Sequence, residues 1–339
     1  MARRFTGRRL SHDFILAVGA VFALFILLFT LPFFFAWKEK YKSPPARLLP
    51  FTVTVDPAHK KIIEDPAVEA TLSPNAPALS AAVLSVSGGF EDLSAAMSQS
   101  SVYGMLASAG APNFVVIEPG LRKEEVAAAF GSALDWNKAA QDAFLKAHAN
   151  PDGSIPEGNF SPGLYAIETG ATGAEADVLT AERFKNQILA RYGTSTQEIV
   201  PIDEALNIAS MIQRETGDKE EMRLISGIIW NRIFNGMALQ LDATLQYAKA
   251  SSKKGKVTDW WPIVYPRDKY IKSPYNTYQN VGLPPTAISN PSVSAVIAAL
   301  NPKKTDCLFY FHDKAGEFHC SVTYEEHVAL LKKYFGRGK

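Results

Sequence analysis

At the centre of this sequence lies the segment Asp203-Glu-Ala-Leu-Asn-Ile-Ala-Ser-Met-Ile-Gln-Arg-Glu215. Four of its side chains recur at the i, i+3, i+4, i+7 spacing of one helix face: Ile208, Met211, Ile212 and Glu215. A carboxyl on the apolar face of a helix is costly to ionise, so its raised pKa makes a proton available for general-acid chemistry. A second interpretation stays open, because Gly217 follows closely and a helix that frays there would expose Glu215 to solvent.

Near the N-terminus, residues 14–37 form an uncharged stretch that is long enough, as a helix, to cross the roughly 30 Å hydrocarbon core of a membrane. No small-residue cleavage site of the kind that ends a signal peptide follows it. Four arginines precede the stretch and three lysines follow it, a slight bias toward a cytoplasmic N-terminus. We therefore predict a cytoplasmic segment (residues 1–13), a transmembrane helix (residues 14–37) and a functional remainder on the far side of the membrane.

The composition of the chain excludes some classes of function. Lys and Arg number 35 against 34 Asp and Glu, and no basic stripe indicates a nucleic-acid partner. The two cysteines, Cys307 and Cys320, do not make a disulfide framework. They face each other across a predicted hairpin whose register is ambiguous, so they form either one disulfide or two small buried apolar side chains.

The order of predicted elements indicates an α+β fold with a mixed helix and hairpin domain at its C-terminal end. Residues 38–112 are predicted to be a linker and a membrane-proximal region with strand-like patterns at 51–55 and 79–86. Residues 113–170 are predicted to form a strand–helix–helix–strand unit, with elements at 113–117, 123–130, 135–147 and 163–167. Residues 171–335 are predicted to contain helices at 181–192 (with Thr180 as N-cap), 203–215, 219–234 and 291–300, and a hairpin of 308–311 with 317–322.

A polar cluster accompanies Glu215 in the second half of the chain. It contains amides, hydroxyls, a carboxyl and aromatic rings: Gln240, Asp242, Thr244, Tyr275, Asn276, Thr277 and Tyr278. Flat aromatic faces stack on pyranose rings, and oriented amides and hydroxyls bind sugar hydroxyls and N-acetyl groups. Each residue also has a local alternative, since Asn276 suits a turn, Thr244 suits a helix cap and tyrosines cover cores. Together they favour a sugar site.

Other kinds of catalytic site find little support in the sequence. It contains no nucleophile elbow, zinc-protease helix, phosphate loop or dinucleotide glycine pattern. A group of possible metal ligands, whose spacing matches no usual pattern, lies near the C-terminus: His312, His319, Cys320 and His327. We therefore expect no metal and no cofactor.

Seven ordered blocks resemble the YceG-like endolytic murein transglycosylase family and cover about residues 200–330. They are Ala209-Ser-Met-Ile-Gln-Arg-Glu-Thr216, Asn231-Arg232, Gly236-Met-Ala-Leu-Gln-Leu-Asp-Ala-Thr244, Ser273-Pro-Tyr-Asn-Thr-Tyr278, Gly282-Leu-Pro-Pro285, Ile288-Ser-Asn-Pro291 and Tyr324-Glu-Glu-His327. A weaker resemblance upstream, at Val116-Ile-Glu-Pro-Gly120, Pro156-Glu-Gly158 and Tyr165, is to the LysM-like subdomain of that family.

The resemblance implies a lyase anchored in the inner membrane, with a periplasmic domain that cleaves peptidoglycan glycan strands internally. The bond is the β-1,4 linkage between N-acetylmuramic acid and N-acetylglucosamine, and the product carries a 1,6-anhydro end. It implies that Glu215 is the catalytic acid and base, and that the polar cluster binds substrate, with Gln240, Asn276 and Tyr278 as the candidates for hydrogen bonds and stacking around the sugar. It also implies association with peptidoglycan synthases (penicillin-binding proteins), in which cleavage terminates nascent strands.

Two competing interpretations remain at this point. A muramidase-type hydrolase would use Asp242 to activate water, because ordinary glycosidases employ two carboxyl groups. A peptidoglycan-binding scaffold protein would be tethered to the membrane without catalysing any reaction.

Overall fold

The computed structural model of this protein describes residues 49–72, 113–252, 257 and 259–336. The predicted transmembrane helix (residues 14–37) and the strand-like pattern at 79–86 lie outside these ranges. Within the described ranges, no helix combines the length and the apolar character needed to span a bilayer.

The described chain begins with a two-stranded ladder and a short helix. Strands β1 (Val55–Asp56) and β2 (Lys61–Ile62) are antiparallel, and helix α1 (Pro66–Leu72) follows. The strand predicted at 51–55 is therefore almost entirely extended chain without a ladder, although Phe51 and Val55 are buried.

The predicted strand–helix–helix–strand unit is present. It consists of β3 (Asn113–Ile117), α2 (Lys123–Ala133), α3 (Lys138–Ala147) and β4 (Gly163–Ile167). The two strands pair antiparallel, with Val115 opposite Tyr165. Two strands alone are marginally stable in water, so this sheet depends on the helices that pack against it. A first hydrophobic cluster supplies that packing, and its buried rings include Phe130, Phe144, Phe160 and Tyr165.

Helix α4 (Gly173–Gln187) corrects one boundary prediction. The sequence analysis began this helix at 181 with Thr180 as its N-cap, and both were wrong. Thr172 is the N-cap, and its hydroxyl forms a capping box with Glu175 that satisfies free N–H groups of the first turn. Thr180 is buried within the helix, where its hydroxyl donates to the carbonyl of Asp177 at 2.9 Å.

The remaining elements build the C-terminal part of the fold. They are a 3-10 turn (Leu189–Arg191), α5 (Thr194–Ile199), α6 (Ile202–Glu215), α7 (Lys219–Phe234), α8 (Asp242–Ser251), a 3-10 turn (Pro266–Tyr270), α9 (Val293–Leu300), β5 (Phe309–His312), β6 (Phe318–Ser321) and α10 (Tyr324–Phe335). Strands β5 and β6 form the predicted hairpin.

A second hydrophobic cluster holds α6, α7 and α9 together. As the periodicity predicts, Ile208, Met211 and Ile212 are fully buried on one face of α6. Trp230 of α7 is also fully buried, and its indole N–H donates to the carbonyl of Ala299 at 2.9 Å. These contacts fix the end of α6, where Glu215 lies.

Polar groups connect the two hydrophobic clusters. The Arg122 guanidinium lies 4.0 Å from the ring centre of Tyr247 and 4.5 Å from that of Trp260. The side-chain carbonyl of Asn290 accepts from the Phe160 N–H at 2.9 Å, and its amide donates to the carbonyl of Leu121. The first cluster is thereby attached beside the helices that carry the candidate site.

Candidate active site

Glu215 is the last residue of α6, and the helix is intact up to this point, since the Thr216 N–H still donates to the carbonyl of Ile212. Its side chain is half-buried. Burial raises the pKa of Glu215, a hydrogen bond from the Tyr310 hydroxyl opposes that rise, and the nearby carboxylate of Asp242 adds to it. The result is a carboxyl whose pKa lies above its ordinary value, on a residue that is partly exposed.

Tyr310 is a site residue that the sequence analysis missed. It lies on β5, its hydroxyl donates to Glu215, and burial raises its own pKa well above the ordinary value. On the same strand, His312 Nε2 lies 3.1 Å from a carboxylate oxygen of Glu221, which also accepts from the Thr216 hydroxyl at 2.7 Å. The hairpin therefore contacts Glu215 through Tyr310 and is linked to Thr216, the next residue, only through Glu221. The only sequence signal is that Tyr310 lies on the predicted strand at 308–311 and His312 follows two residues later.

Asp242 and Tyr278 form a second pair beside Glu215. The Tyr278 hydroxyl donates to Asp242 Oδ1 at 2.7 Å, and Asp242 is exposed at the first turn of α8. Burial, followed by the charges of Asp242 and Glu215, raises the pKa of Tyr278. The ammonium group of Lys269 lies 4.6 Å from the centre of the Tyr278 ring. Two carboxyl groups and two tyrosine hydroxyls thus meet at one place.

Gln240 is exposed and has a left-handed backbone, with φ of 55°. Its N–H donates to the carbonyl of Thr277 at 3.1 Å, which ties it to the Tyr275–Tyr278 segment. Residues other than glycine are uncommon in this region of backbone space, and such strain clusters at functional sites. This backbone geometry presents the Gln240 side chain to solvent next to Asp242.

Three of the predicted substrate-binding residues are buried and bonded to the protein. The hydroxyls of Thr244 and Thr277 lie 2.8 Å apart, and the latter accepts from the Leu241 N–H. The Asn276 amide donates to the carbonyls of Lys269 and Ile271 at 3.0 and 2.8 Å. These groups hold the loop that carries Tyr278 against the start of α8.

Tyr275 lies farther along the same loop. Its hydroxyl is 2.8 Å from the Thr286 hydroxyl, and its ring centre is 4.7 Å from that of Tyr247. Tyr275 is partly exposed, so one side of the ring remains accessible next to the loop.

Arg232 of α7 joins the segments that surround the site. Its guanidinium donates to the carbonyls of Leu308, Ala238 and Leu239 at 2.6, 3.1 and 2.7 Å. The buried guanidinium of Arg232 therefore holds both the residue that precedes β5 and the loop that leads to Gln240. Burial lowers the pKa of Arg232, with opposing effects from Tyr310 and Tyr278.

The histidines near the C-terminus lie in different surroundings. His312 is bonded to Glu221, whereas His319 Nε2 lies 2.8 Å from Asp313 Oδ2 in the turn of the hairpin. His327 packs against Phe309 and Phe311. Within the described part of the chain, Asp313, Glu317 and His319 are close enough to share a cation, but the turn is open and its own backbone N–H groups already bind Asp313. Cys320 forms a disulfide with Cys307, so its sulfur is not a thiolate ligand.

The fold and the site define an α+β protein in which one partly open carboxyl has a raised pKa and lies beside an acid–tyrosine pair. The chain belongs to the YceG-like family, whose family model matches residues 58–333.

Relatives of known name resemble the chain over part of their length. The endolytic murein transglycosylase of Bacillus subtilis (strain 168) is 32% identical over 179 residues, which are 52% of this chain and 48% of that protein. The endolytic murein transglycosylase of Streptococcus pneumoniae (strain ATCC BAA-255 / R6) is 32% identical over 173 residues, which are 50% of this chain and 31% of that protein. The chain thus spans about half of the first relative and about a third of the second.

A solved structure shares the fold. The 2.6 Å crystal structure of a YceG-like protein from Listeria monocytogenes superposes with a TM-score of 0.56 at 26% identity, over 65% of this chain and 76% of that one.

Proposed function

We propose that this protein is an endolytic lytic transglycosylase of peptidoglycan, with Glu215 as its catalytic acid and base. One observation carries the proposal: Glu215 has a raised pKa, is partly accessible, and lies beside hydroxyl and carboxyl groups suited to a sugar. Two relatives named endolytic murein transglycosylases support the reaction class.

In this mechanism, the protonated Glu215 gives its proton to the glycosidic oxygen between N-acetylmuramic acid and N-acetylglucosamine. The bond from that oxygen to C1 of the muramic acid breaks, and the N-acetylglucosamine end leaves as an alcohol. The Glu215 carboxylate then takes the proton of the C6 hydroxyl of the same muramic acid, whose oxygen bonds to C1. The anhydro end forms, no water is consumed, and Glu215 is again protonated.

A single carboxyl is sufficient for this sequence of steps, because the attacking hydroxyl belongs to the substrate and benefits from a high effective concentration. A hydrolase would instead need a second carboxyl to activate water. Asp242 is the nearest such group, but the Tyr278 hydroxyl already donates to its Oδ1 atom. We therefore prefer transglycosylation.

The polar cluster divides into two proposed roles. Gln240, Asp242, Tyr275 and Tyr278 are accessible and contact the sugar directly. Thr244, Asn276 and Thr277 are buried and position the loop that carries Tyr278. Backbone strain at Gln240 supports a direct role for its side chain.

Several further assignments belong to this proposal. Residues 14–37 anchor the chain in the inner membrane with the N-terminus in the cytoplasm, so that residues 171–335 act in the periplasm. Residues 113–170, as the LysM-like unit, contact glycan next to the catalytic part. Association with peptidoglycan synthases would let the enzyme terminate nascent strands.

The first prediction concerns Glu215→Gln, which keeps the size of the side chain and removes its proton transfer. Purified glycan strands incubated with this variant should yield no fragments, while its circular dichroism and unfolding midpoint stay native-like. Fragments formed at the wild-type rate would remove Glu215 from the mechanism.

Mass spectrometry of the wild-type products separates the two reactions, since an anhydro end is one water lighter than a reducing end. Reducing ends from the wild type would replace the transglycosylase proposal with the hydrolase.

A further inference from the structure

The β5–β6 hairpin presents two different faces. On one face, Tyr310 bonds to Glu215 and His312 bonds to Glu221. On the other face, the alternate residues Phe309 and Phe311 pack against α10. Because side chains alternate along a strand, a shift of β5 by one residue would turn Tyr310 to the opposite face, away from Glu215.

Most of the hairpin is only partly buried, apart from the hydroxyl side of Tyr310. Of the eight residues in its two strands only Ser321 is buried, and none of the twelve described residues of α10 is buried. A two-stranded hairpin without much burial is marginal on its own. Its position therefore depends on specific attachments.

Two attachments fix the first strand, and a covalent bond fixes the second. The Asn231 amide donates to the carbonyl of Cys307 at 3.2 Å, and Arg232 donates to that of Leu308. On the second strand, Cys320 lies directly opposite Tyr310. The disulfide connects Cys320 to Cys307, so the strand that pairs with Tyr310 is tied to the point that α7 holds.

We propose that Tyr310 is a positioning residue for Glu215, and that the Cys307–Cys320 disulfide fixes the place of Tyr310. This inference rests on the proposed function only for its catalytic consequence. The hydroxyl of Tyr310 donates to the ionised carboxyl and stabilises the form that must take the C6 proton from the substrate. Neither residue of the disulfide touches the reacting atoms.

The structural test is a carboxyl titration of Glu215 without substrate. The full chain carries ¹³C at the glutamate carboxyl carbons, and the Glu215 signal is assigned by its loss in Glu215→Gln. Tyr310→Phe removes the hydrogen bond that holds the pKa of Glu215 down, so the titration midpoint should move to higher pH. The double variant Cys307→Ser with Cys320→Ser should move it in the same direction.

Other ionisable groups face Glu215 and remain in all these variants, so the difference between titrations isolates the change at Tyr310. They are Arg214 on α6, Asp242 on α8, Tyr278 on the adjoining loop and His312 on β5. Tyr324→Phe is the matched tyrosine control, because Tyr324 is exposed on the opposite side of the hairpin, and its titration should equal that of the wild type.

A reductant supplies a second route to the same state. Dithiothreitol gives two electrons and two protons to the sulfurs of Cys307 and Cys320, which become thiols, and it becomes a cyclic disulfide. In wild-type protein treated with dithiothreitol, Glu215 should titrate as it does in the double serine variant. The same treatment should leave the Glu215 titration of the double serine variant unchanged. Thermal unfolding, followed in parallel, ensures that the comparison is made on folded protein.

Cleavage kinetics complete the test. Glu215 acts first as an acid, so a higher pKa of Glu215 should move the alkaline limb of the pH profile of kcat/KM to higher pH. Loss of the hydrogen bond between Tyr310 and Glu215 should also lower kcat about tenfold. If the disulfide merely stabilises the fold, its removal would lower the unfolding midpoint but leave the Glu215 titration and the alkaline limb unchanged, and this result would overturn the inference. If the variants shift the Glu215 titration but the wild-type protein cleaves no glycan, the positioning role stands and the proposed function is removed.

Discussion

At the scale of single residues, the two carboxyl groups of the site have different surroundings. Glu215 is half-buried at the end of α6, and burial raises its pKa, whereas Asp242 is exposed on α8 and bonded to a tyrosine hydroxyl. Because their environments differ, one carboxyl can transfer a proton while the other stays ionised and accepts hydrogen bonds.

Tyr278 provides a prediction that separates its hydroxyl from its ring. Tyr278→Phe removes the hydrogen bond to Asp242 and should lower kcat/KM for glycan strands about tenfold, as expected for a hydrogen bond to a charged group. Tyr278→Ala also removes the stacking surface and should lower it further.

Kinetics of both variants should be compared with Tyr270→Ala, since Tyr270 is 77% exposed on the neighbouring 3-10 turn. Equal rates for Tyr278→Phe and the wild type would show that the hydroxyl has no role.

At the scale of elements, α7 approaches the chain after α9 closely enough to require a glycine. A Cβ atom on Gly227 would lie 2.3 Å from the carbonyl oxygen of Lys303, a backbone atom that cannot rotate away. The same segment leads into Cys307 and β5, so the contact between Gly227 and Lys303 lies just before the hairpin in the chain.

Gly227→Ala is therefore expected to lower the free energy of unfolding by about 1–3 kcal/mol, the usual range for overpacking. Urea denaturation at pH 7 measures the change. Gly217→Ala is the matched control, because a Cβ atom there meets nothing within 4 Å and should cost little. An unchanged free energy of unfolding in Gly227→Ala would show that the contact with Lys303 relaxes without cost.

How far the sequence predicts these elements depends on whether the signal is local. The apolar period predicts α6 and α7 to within one residue, since the buried face of each helix repeats regularly. The start of α4 was missed because Thr172 forms a capping box that competes with the equally plausible cap at Thr180. Helix α10 begins with a similar capping box at Thr323 and Glu326, a signal that is local to the sequence.

The candidate site is harder to predict, because its parts meet through long-range contacts. Glu215 stands out within its own helix, but nothing local to β5 shows that Tyr310 reaches it. The sequence does not decide whether Cys307 and Cys320 are bonded, for a related reason. A strand register can shift by one residue without changing the composition of the hairpin. The structure places the Cα atoms of Cys307 and Cys320 5.8 Å apart, the spacing of a disulfide.

At the scale of the whole molecule, a buried acid lies where the two hydrophobic clusters meet. Glu157 accepts from the Lys123 N–H at 2.6 Å, and the hydroxyl of Tyr247, on α8, lies 3.5 Å from its other oxygen. Burial, and next the negative charge of Glu124, raise the pKa of Glu157 to about 8. At neutral pH this carboxyl therefore retains its proton in the folded protein.

This raised pKa makes stability depend on pH in a definite direction. In the unfolded chain Glu157 loses its proton near pH 4.5, whereas in the folded protein it does so near pH 8. Its contribution to stability is complete below pH 4.5 and is lost as the pH rises to about 8, at up to about 1.4 kcal/mol per pH unit. Glu157→Gln, which stays neutral, should flatten this slope and be more stable than the wild type above pH 8.

Urea denaturation between pH 5 and pH 9 measures the slope. Glu118→Gln is the control, because Glu118 is exposed and its removal should leave the wild-type slope in place. A slope that persists in Glu157→Gln would assign the pH dependence to other groups.

The place of Glu215 at the carboxyl end of α6 has one more consequence. The unpaired carbonyls there carry the negative pole of the helix dipole, which disfavours an anion and favours a cation. Folding alone would select almost any neutral or basic side chain at this position. Variants selected only for thermal stability should therefore replace Glu215 with a neutral or basic residue. An acid at this position is then a trade-off in which some stability is lost in favour of reactivity.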